Sequence, residues 1–200
     1  MAYTYFPETT EELVEIIKAE VEKNGWECSL NHINTRKITD MSCLFSGNDG
    51  YGLAAFNGDI SRWNVSNVTS MYGMFAYAES FNQPIGNWDV SNVENMNSMF
   101  FAADLFNQPI GDWDVSKVTT MEAMFDGADS FNQPIGDWDV SNVKYMDYMF
   151  EGADSFNQPI GDWNISNVET MRAMFWYAES FNQPIRDWDV SNVIDMEDMF

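Results

Sequence analysis

Basic residues are scarce in this chain: 9 Lys and Arg stand against 32 Asp and Glu, for a formal net charge of -23 over 200 residues. So one-sided a balance excludes direct binding to nucleic acid or to an anionic membrane surface, because both need basic patches to displace counterions or approach the surface. A single histidine, His32, excludes any site built on two, and a structural role is expected for it. Two cysteines, Cys28 and Cys43, are too few for a disulfide framework and lack the CxxC spacing of a zinc or redox site. They read as small buried residues, with a single bridge between them as the alternative. No stretch approaches the ~18 apolar residues of a membrane span. Residues 1–7 hold no basic run leading into an apolar segment, so the chain as written reads as carrying no export signal. GxSxG, the Walker loop, HExxH and a Ser/His/Asp set with local context are all missing, and no enzymatic activity is expected.

What is present is apolar and periodic. Hydrophobic residues make up 45% of the chain, with 8 Trp, 15 Phe and 14 Met, which is the opposite of the low-aromatic disorder signature. From Phe56 the segment F-N-Q-P-I-G-x-W-D-V-S-N-V-x-x-M-x-x-M-F-x-x-A-x-x returns every 25 residues, at Phe81, Phe106, Phe131, Phe156 and Phe181. Copies over 56–180 are complete and one over 181–200 is partial. Ile38, Met41 and Phe45 match Val68, Met71 and Phe75, with a five-residue insertion in 46–55. The expected organisation is an N-terminal capping helix and lead-in segment over 1–37, then repeats over 38–200.

Within a copy, Val93, Met96, Phe100 and Ala103 recur at helical spacing and predict a helix of about ten residues over 91–103. Ser91 with Glu94, and Ser166 with Glu169, read as capping boxes. Trp88-Asp89-Val90 alternates apolar and acidic, the period of a short strand. One strand and one helix cannot bury their apolar faces alone, so stacked copies must share a core. The expected fold class is α/β: a leucine-rich-repeat-like solenoid with short parallel strands on one face and short helices on the other. Residues 8–24 break the pattern, and Leu13, Ile16, Ile17 and Val21 predict a helix that lids the first coil. Ending mid-copy on Met199 and Phe200, the chain reads as a fragment of a longer protein, or as presenting an apolar edge that another molecule covers or that mediates self-association.

F-N-Q-P-I-G-D-W-D-V-S-N-V followed by M-x-x-M-F resembles the signature of the BspA-like surface proteins of bacteria, a branch of the Treponema-type leucine-rich repeats. Residues 30–35 and 38–41 look like that family's usual lead-in. The resemblance implies a curved solenoid displayed at the cell surface and a role in adhesion or protein recognition. Without an export signal the chain, if complete, would be cytoplasmic.

Two sets of residues are candidates for function. Asp89, Asp114, Asp139 and Asp189, with Asn164 interrupting, should form one ladder of like charges, and Asp112, Asp137, Asp162 and Asp187 a second. They read either as the wet face of a sheet or as a repulsive array relieved by a cationic partner or by weak calcium binding, the one cofactor expectation. The other set lies where the copies differ: Tyr72, Tyr77, Phe101, Tyr145, Tyr148, Trp176 and Tyr177. These are either partner-binding hot spots or packing between adjacent coils. The function expected is non-enzymatic recognition of a protein partner. The alternatives are a structural display spacer with no ligand, and an acidic decoy of a nucleic-acid-binding protein.

Overall fold

A computed structural model describes residues 2–48 and 50–200. Each copy is a coil of consecutive tight turns laid in register on the next. The link between coils is a set of backbone hydrogen bonds on alternate residues: the N–H groups of Met96, Ser98, Phe100 and Ala102 donate to the carbonyls of Thr120, Glu122, Met124 and Asp126 at 2.7–3.2 Å. The intervening N–H groups close turns inside the coil, as Met99 to Met96, Phe101 to Ser98 and Ala103 to Phe100. With the Asn97 N–H on Asn95 Oδ1, every N–H from Met96 to Ala103 therefore has a partner, as a buried backbone requires. Parallel bridges join Asp40, Ser70, Asn95, Thr120, Tyr145, Thr170 and Asp195 in one line.

This arrangement corrects the local expectations. Residues 91–103 are turns, and among the described residues α1, Thr10–Asn24, is the one α-helix. An α-helix cannot form there because alternate N–H groups are committed to the neighbouring coil. Two residues per coil also take left-handed backbone, such as Ser98 (φ 55) with Ala102 (φ 49), and Tyr148 (φ 59) with Gly152 (φ 59). Consecutive i to i+3 turns bury every third residue, so they imitate the helical spacing that Val93, Met96 and Phe100 display. The capping boxes are absent for a related reason: Ser91 donates its N–H and hydroxyl to Asp89, and Ser166 does the same to Asn164. Trp88-Asp89-Val90 is not a strand but links two turns, one closed by the Trp88 N–H on the Ile85 carbonyl and one by the Val93 N–H on the Val90 carbonyl, and the parallel pairing runs instead through the segment read as helix.

In-register stacking puts each side chain on its own equivalent. Phe75, Phe100, Phe125, Phe150, Phe175 and Phe200 form a column with ring centroids 5.6–5.7 Å apart. Phe81, Phe106, Phe131, Phe156 and Phe181 form a second at 6.0–6.2 Å. The indole N–H groups of Trp63, Trp88, Trp113, Trp138, Trp163 and Trp188 reach back one coil, as Trp113 to the Ile85 carbonyl at 3.2 Å. Asparagines make a third column. Asn107 Oδ1 accepts from the Asn132 N–H at 3.0 Å and from the Gln133 amide at 2.8 Å, while the Asn107 N–H donates to Asn82 Oδ1 at 3.0 Å.

At the N-terminal end Thr9 caps α1 by accepting from the Glu12 N–H, and Glu11, Glu12 and Lys23 suit its dipole. Leu13, Val14, Ile17 and Val21 are buried in the same core cluster as the coils, and Ile16 is partly buried against it. The coil register is already present there: the Leu30 N–H donates to the Asp59 carbonyl and the Asn57 N–H to that of Trp26. The insertion lengthens this spacing, so that Met41 donates to Ser70 and Phe45 to Met74. Asp49 within it, and Met1, lie outside the described residues. In the last copy Val190, Ile194, Met196 and Phe200 are exposed. No helix among the described residues is long and apolar enough to cross a membrane.

Because Asn107 satisfies two donors of the next coil, Asn107→Ala should lower unfolding stability by about 1–3 kcal/mol, whereas Phe125→Ala should cost about 3–5 kcal/mol through its cavity. Urea titrations followed by tryptophan fluorescence measure both.

Candidate interaction ridge

The columns that vary from copy to copy sit together on the hydrogen-bonded ridge. Side chains at 72, 76 and 77 and their equivalents project from the turns between bridge residues, and the left-handed residues are among them. Tyr72, Tyr77, Tyr145, Trp176 and Tyr177 are exposed, Tyr177 by 66%, while Phe101 and Tyr148 are half-buried. Tyr77 and Phe101, one coil apart, pack edge to face with centroids 4.9 Å apart. Tyr72, Tyr77 and Phe101 line one cavity with Cys43 and Ser98. Trp176 and Tyr177 form a separate pair at 4.5 Å. Tyr145 is a bridge residue and Tyr148 a left-handed one, and neither lines that cavity. Inter-coil packing and exposure therefore coexist in this set. Cys28 and Cys43 are half-buried rather than buried, and burial pushes the Cys28 thiol up.

One acidic ladder is built into turns. Asp89, Asp114, Asp139 and Asp189 each accept from the N–H of the serine two residues on, at 3.0–3.2 Å. These are Asx turns, and Asn164 fills the same role with its amide oxygen. Hydrogen bonds from Ser116 and from Ser191 hold the Asp114 and Asp189 carboxyls below the usual carboxylate range. Asp112, Asp137 and Asp162 line a cavity with Gly111, Pro134, Gly136 and Pro159, and Asp187 is exposed. A Cβ on Gly111 would come within 2.4 Å of the Pro134 carbonyl oxygen, so glycine lets the coils close there. Among the described residues no group of three His, Cys, Asp or Glu is placed to hold a metal ion.

Like-charge crowding is found instead beside the aromatic ridge, in residues that were not singled out from the sequence. Glu79, Asp104, Asp129, Asp154 and Glu179 form an unbroken acidic column. Burial, then Asp154 and Asp104, push the Asp129 carboxyl up. In the column of Ala76, Phe101, Asp126, Glu151 and Trp176, burial and then Glu151 push Asp126 up to about 7, and burial raises Glu151. Burial and Asp147 raise Glu122 despite the Asn97 amide at 3.1 Å. The repeat at 79, 104, 129, 154 and 179 is visible in the sequence, but at positions where the signature reads only x.

The family model described as Mycoplasma protein of unknown function, DUF285, matches residues 16–119 and 106–200. The chain belongs to this family. Two overlapping matches on one chain fit the internal repetition of this DUF285 protein, whose coils continue through both. No curated protein and no solved structure matches it.

Asp126 gives this ridge a pH signature. Its folded value lies above its unfolded one, so the native state holds the extra proton. The resulting cost is absent below about pH 4, grows as pH rises to about 7 and is complete above that. Asp126→Asn should therefore stabilise the protein at pH 8 by roughly 1–2 kcal/mol, after allowance for solvent screening of a half-exposed group, and by nothing at pH 4. Urea midpoints measured across that range test it.

Proposed function

We propose that this DUF285 chain is a non-enzymatic recognition module, a repeat solenoid of the BspA-like, leucine-rich-repeat kind, that binds a cationic protein surface along its ridge. One observation carries the reading: the copy-to-copy variation in aromatic residues and the crowded carboxylates occupy neighbouring columns on the same ridge. Recurrent residues are used up by the fold, as Phe, Trp, Asn and Gln are in the core and its ladders. Residues that vary and remain exposed are free to select a partner, and Trp and Tyr are the types enriched at binding hot spots. Carboxylates held above their normal range gain from an incoming Lys or Arg, which offsets both the burial and the repulsion from Asp154 and Asp104 that raise Asp129. Neither a display spacer nor a nucleic-acid decoy accounts for the segregation of frustrated acids to the aromatic side.

A peptide of alternating Lys and Gly is the probe. It should bind the chain with an affinity that falls as salt rises, and Asp104→Asn/Asp129→Asn/Asp154→Asn should weaken it about tenfold, which corresponds to about 1.4 kcal/mol. The triple change Asp114→Asn/Asp139→Asn/Asp189→Asn removes the same charge and keeps the Asx turns, and should leave binding nearly intact. Equal losses in the two variants would reduce the effect to net charge, and no binding at all would favour the spacer.

A further inference from the structure

The aromatic cavity at the start of the ridge lies where the first coils differ in sequence from the later copies. It has a volume of about 220 Å³ and is lined by Cys43, Ser46, Tyr72, Tyr77, Ser98 and Phe101, among others. Its origin is local. At the first left-handed position of each coil the later copies carry Ser98, Ala123, Tyr148, Ala173 and Asp198, but the first complete copy carries Gly73 (φ 55). A Cβ there would come within 3.3 Å of Cys43 Sγ, so glycine leaves space that a side chain would take. One coil earlier Gly47 sits where a Cβ would come within 2.9 Å of Tyr77 Cβ, and its lack of one lets Tyr77 settle close over the first coil.

We infer that this cavity receives an arginine side chain of the partner, a deepening that rests on the cationic-partner reading above. Three aromatic rings wall it, and the edge-to-face packing of Tyr77 on Phe101, at 65°, makes a corner of ring surface. Aromatic walls attract a cation over their faces, most strongly where water is excluded. The Ser46 and Ser98 hydroxyls in the same lining supply acceptor oxygens for N–H groups. Among the described residues no Lys or Arg side chain lines the space, so an incoming cation meets no competing positive group there. An anion is opposed by the net charge of -23. The volume is below the ~300 Å³ at which small-molecule and cofactor pockets begin, which fits one side chain rather than a ligand of that size. Between the two basic side chains, guanidinium is planar, less strongly hydrated and stacks on rings, whereas ammonium is a compact, strongly hydrated charge.

The test uses the full chain and two peptides of alternating Lys and Gly that differ at one central position, Arg or Lys, and so carry equal charge. Calorimetric titration of the wild-type chain should show the Arg peptide binding about fivefold tighter, and Tyr72→Ala/Tyr77→Ala should abolish that preference while the Lys peptide binds as before. Ala76→Leu keeps every ring and fills the cavity, and should abolish the preference as well, which guards against a double variant that fails to fold. Equal binding of the two peptides to wild type, or a preference that survives in the folded variants, would overturn the inference and leave the ridge reading standing. Failure of both peptides to bind wild type would overturn both.

Discussion

The structure depends on one constraint, the commitment of alternate backbone N–H groups to the carbonyls of the next coil. Met96, Ser98, Phe100 and Ala102 donate forward in this way, and their equivalents repeat it in each pair of coils. Once these bonds are made, the coils are in register at 25 residues and every side chain meets its own counterpart. The phenylalanine columns, the indole bonds and the asparagine ladder are consequences of that register. It has a conformational cost. Two residues per coil enter left-handed backbone, and where these are Tyr, Ser or Ala rather than glycine each costs about 1–2 kcal/mol. Burial of several apolar side chains per coil, at about 1.5–3 kcal/mol each, offsets it.

The same register sorts the charge. An acid two residues before a serine becomes part of a turn, accepts that serine's N–H and is content as a carboxylate, which is the state of Asp114 and Asp189. On the hydrogen-bonded ridge burial and neighbouring acids push the Asp126 and Asp129 carboxyls up, while Glu122 and Asp147 accept hydrogen bonds there from Asn97 and from Thr170 and Arg172. A single net charge thus divides into a structural part at one corner and a frustrated part on the ridge.

Much of this was legible in the sequence. The repeat length, the helix near residues 10–24 and the five-residue insertion follow from spacing alone. The turns were not legible as turns, because Val93, Met96, Phe100 and Ala103 have the periodicity of an amphipathic helix, and successive i to i+3 turns bury the same positions. The fuller series Met-x-x-Met and Phe-x-x-Ala-x-x-Phe, with its period of three, is the signal that separates them. Left-handed positions gave no warning, since Tyr77, Ser98 and Ala102 are not residues that favour them. The aromatic candidates could be named one by one, but the meeting of Tyr72, Tyr77 and Phe101 around one cavity depends on how one coil lies on the next. Asn107 and its column stood in plain view inside F-N-Q-P, yet their role needs the neighbouring coil to supply the donors.

The most direct test of recognition along the ridge is amide chemical-shift mapping of the isotopically labelled chain titrated with a peptide of alternating Lys and Gly. Shifts should concentrate at residues 72–79 and their equivalents over the next four coils and be small around Asp89, Asp114, Asp139 and Asp189. Shifts centred on those Asx-turn acids, or spread evenly over all carboxylates, would contradict it.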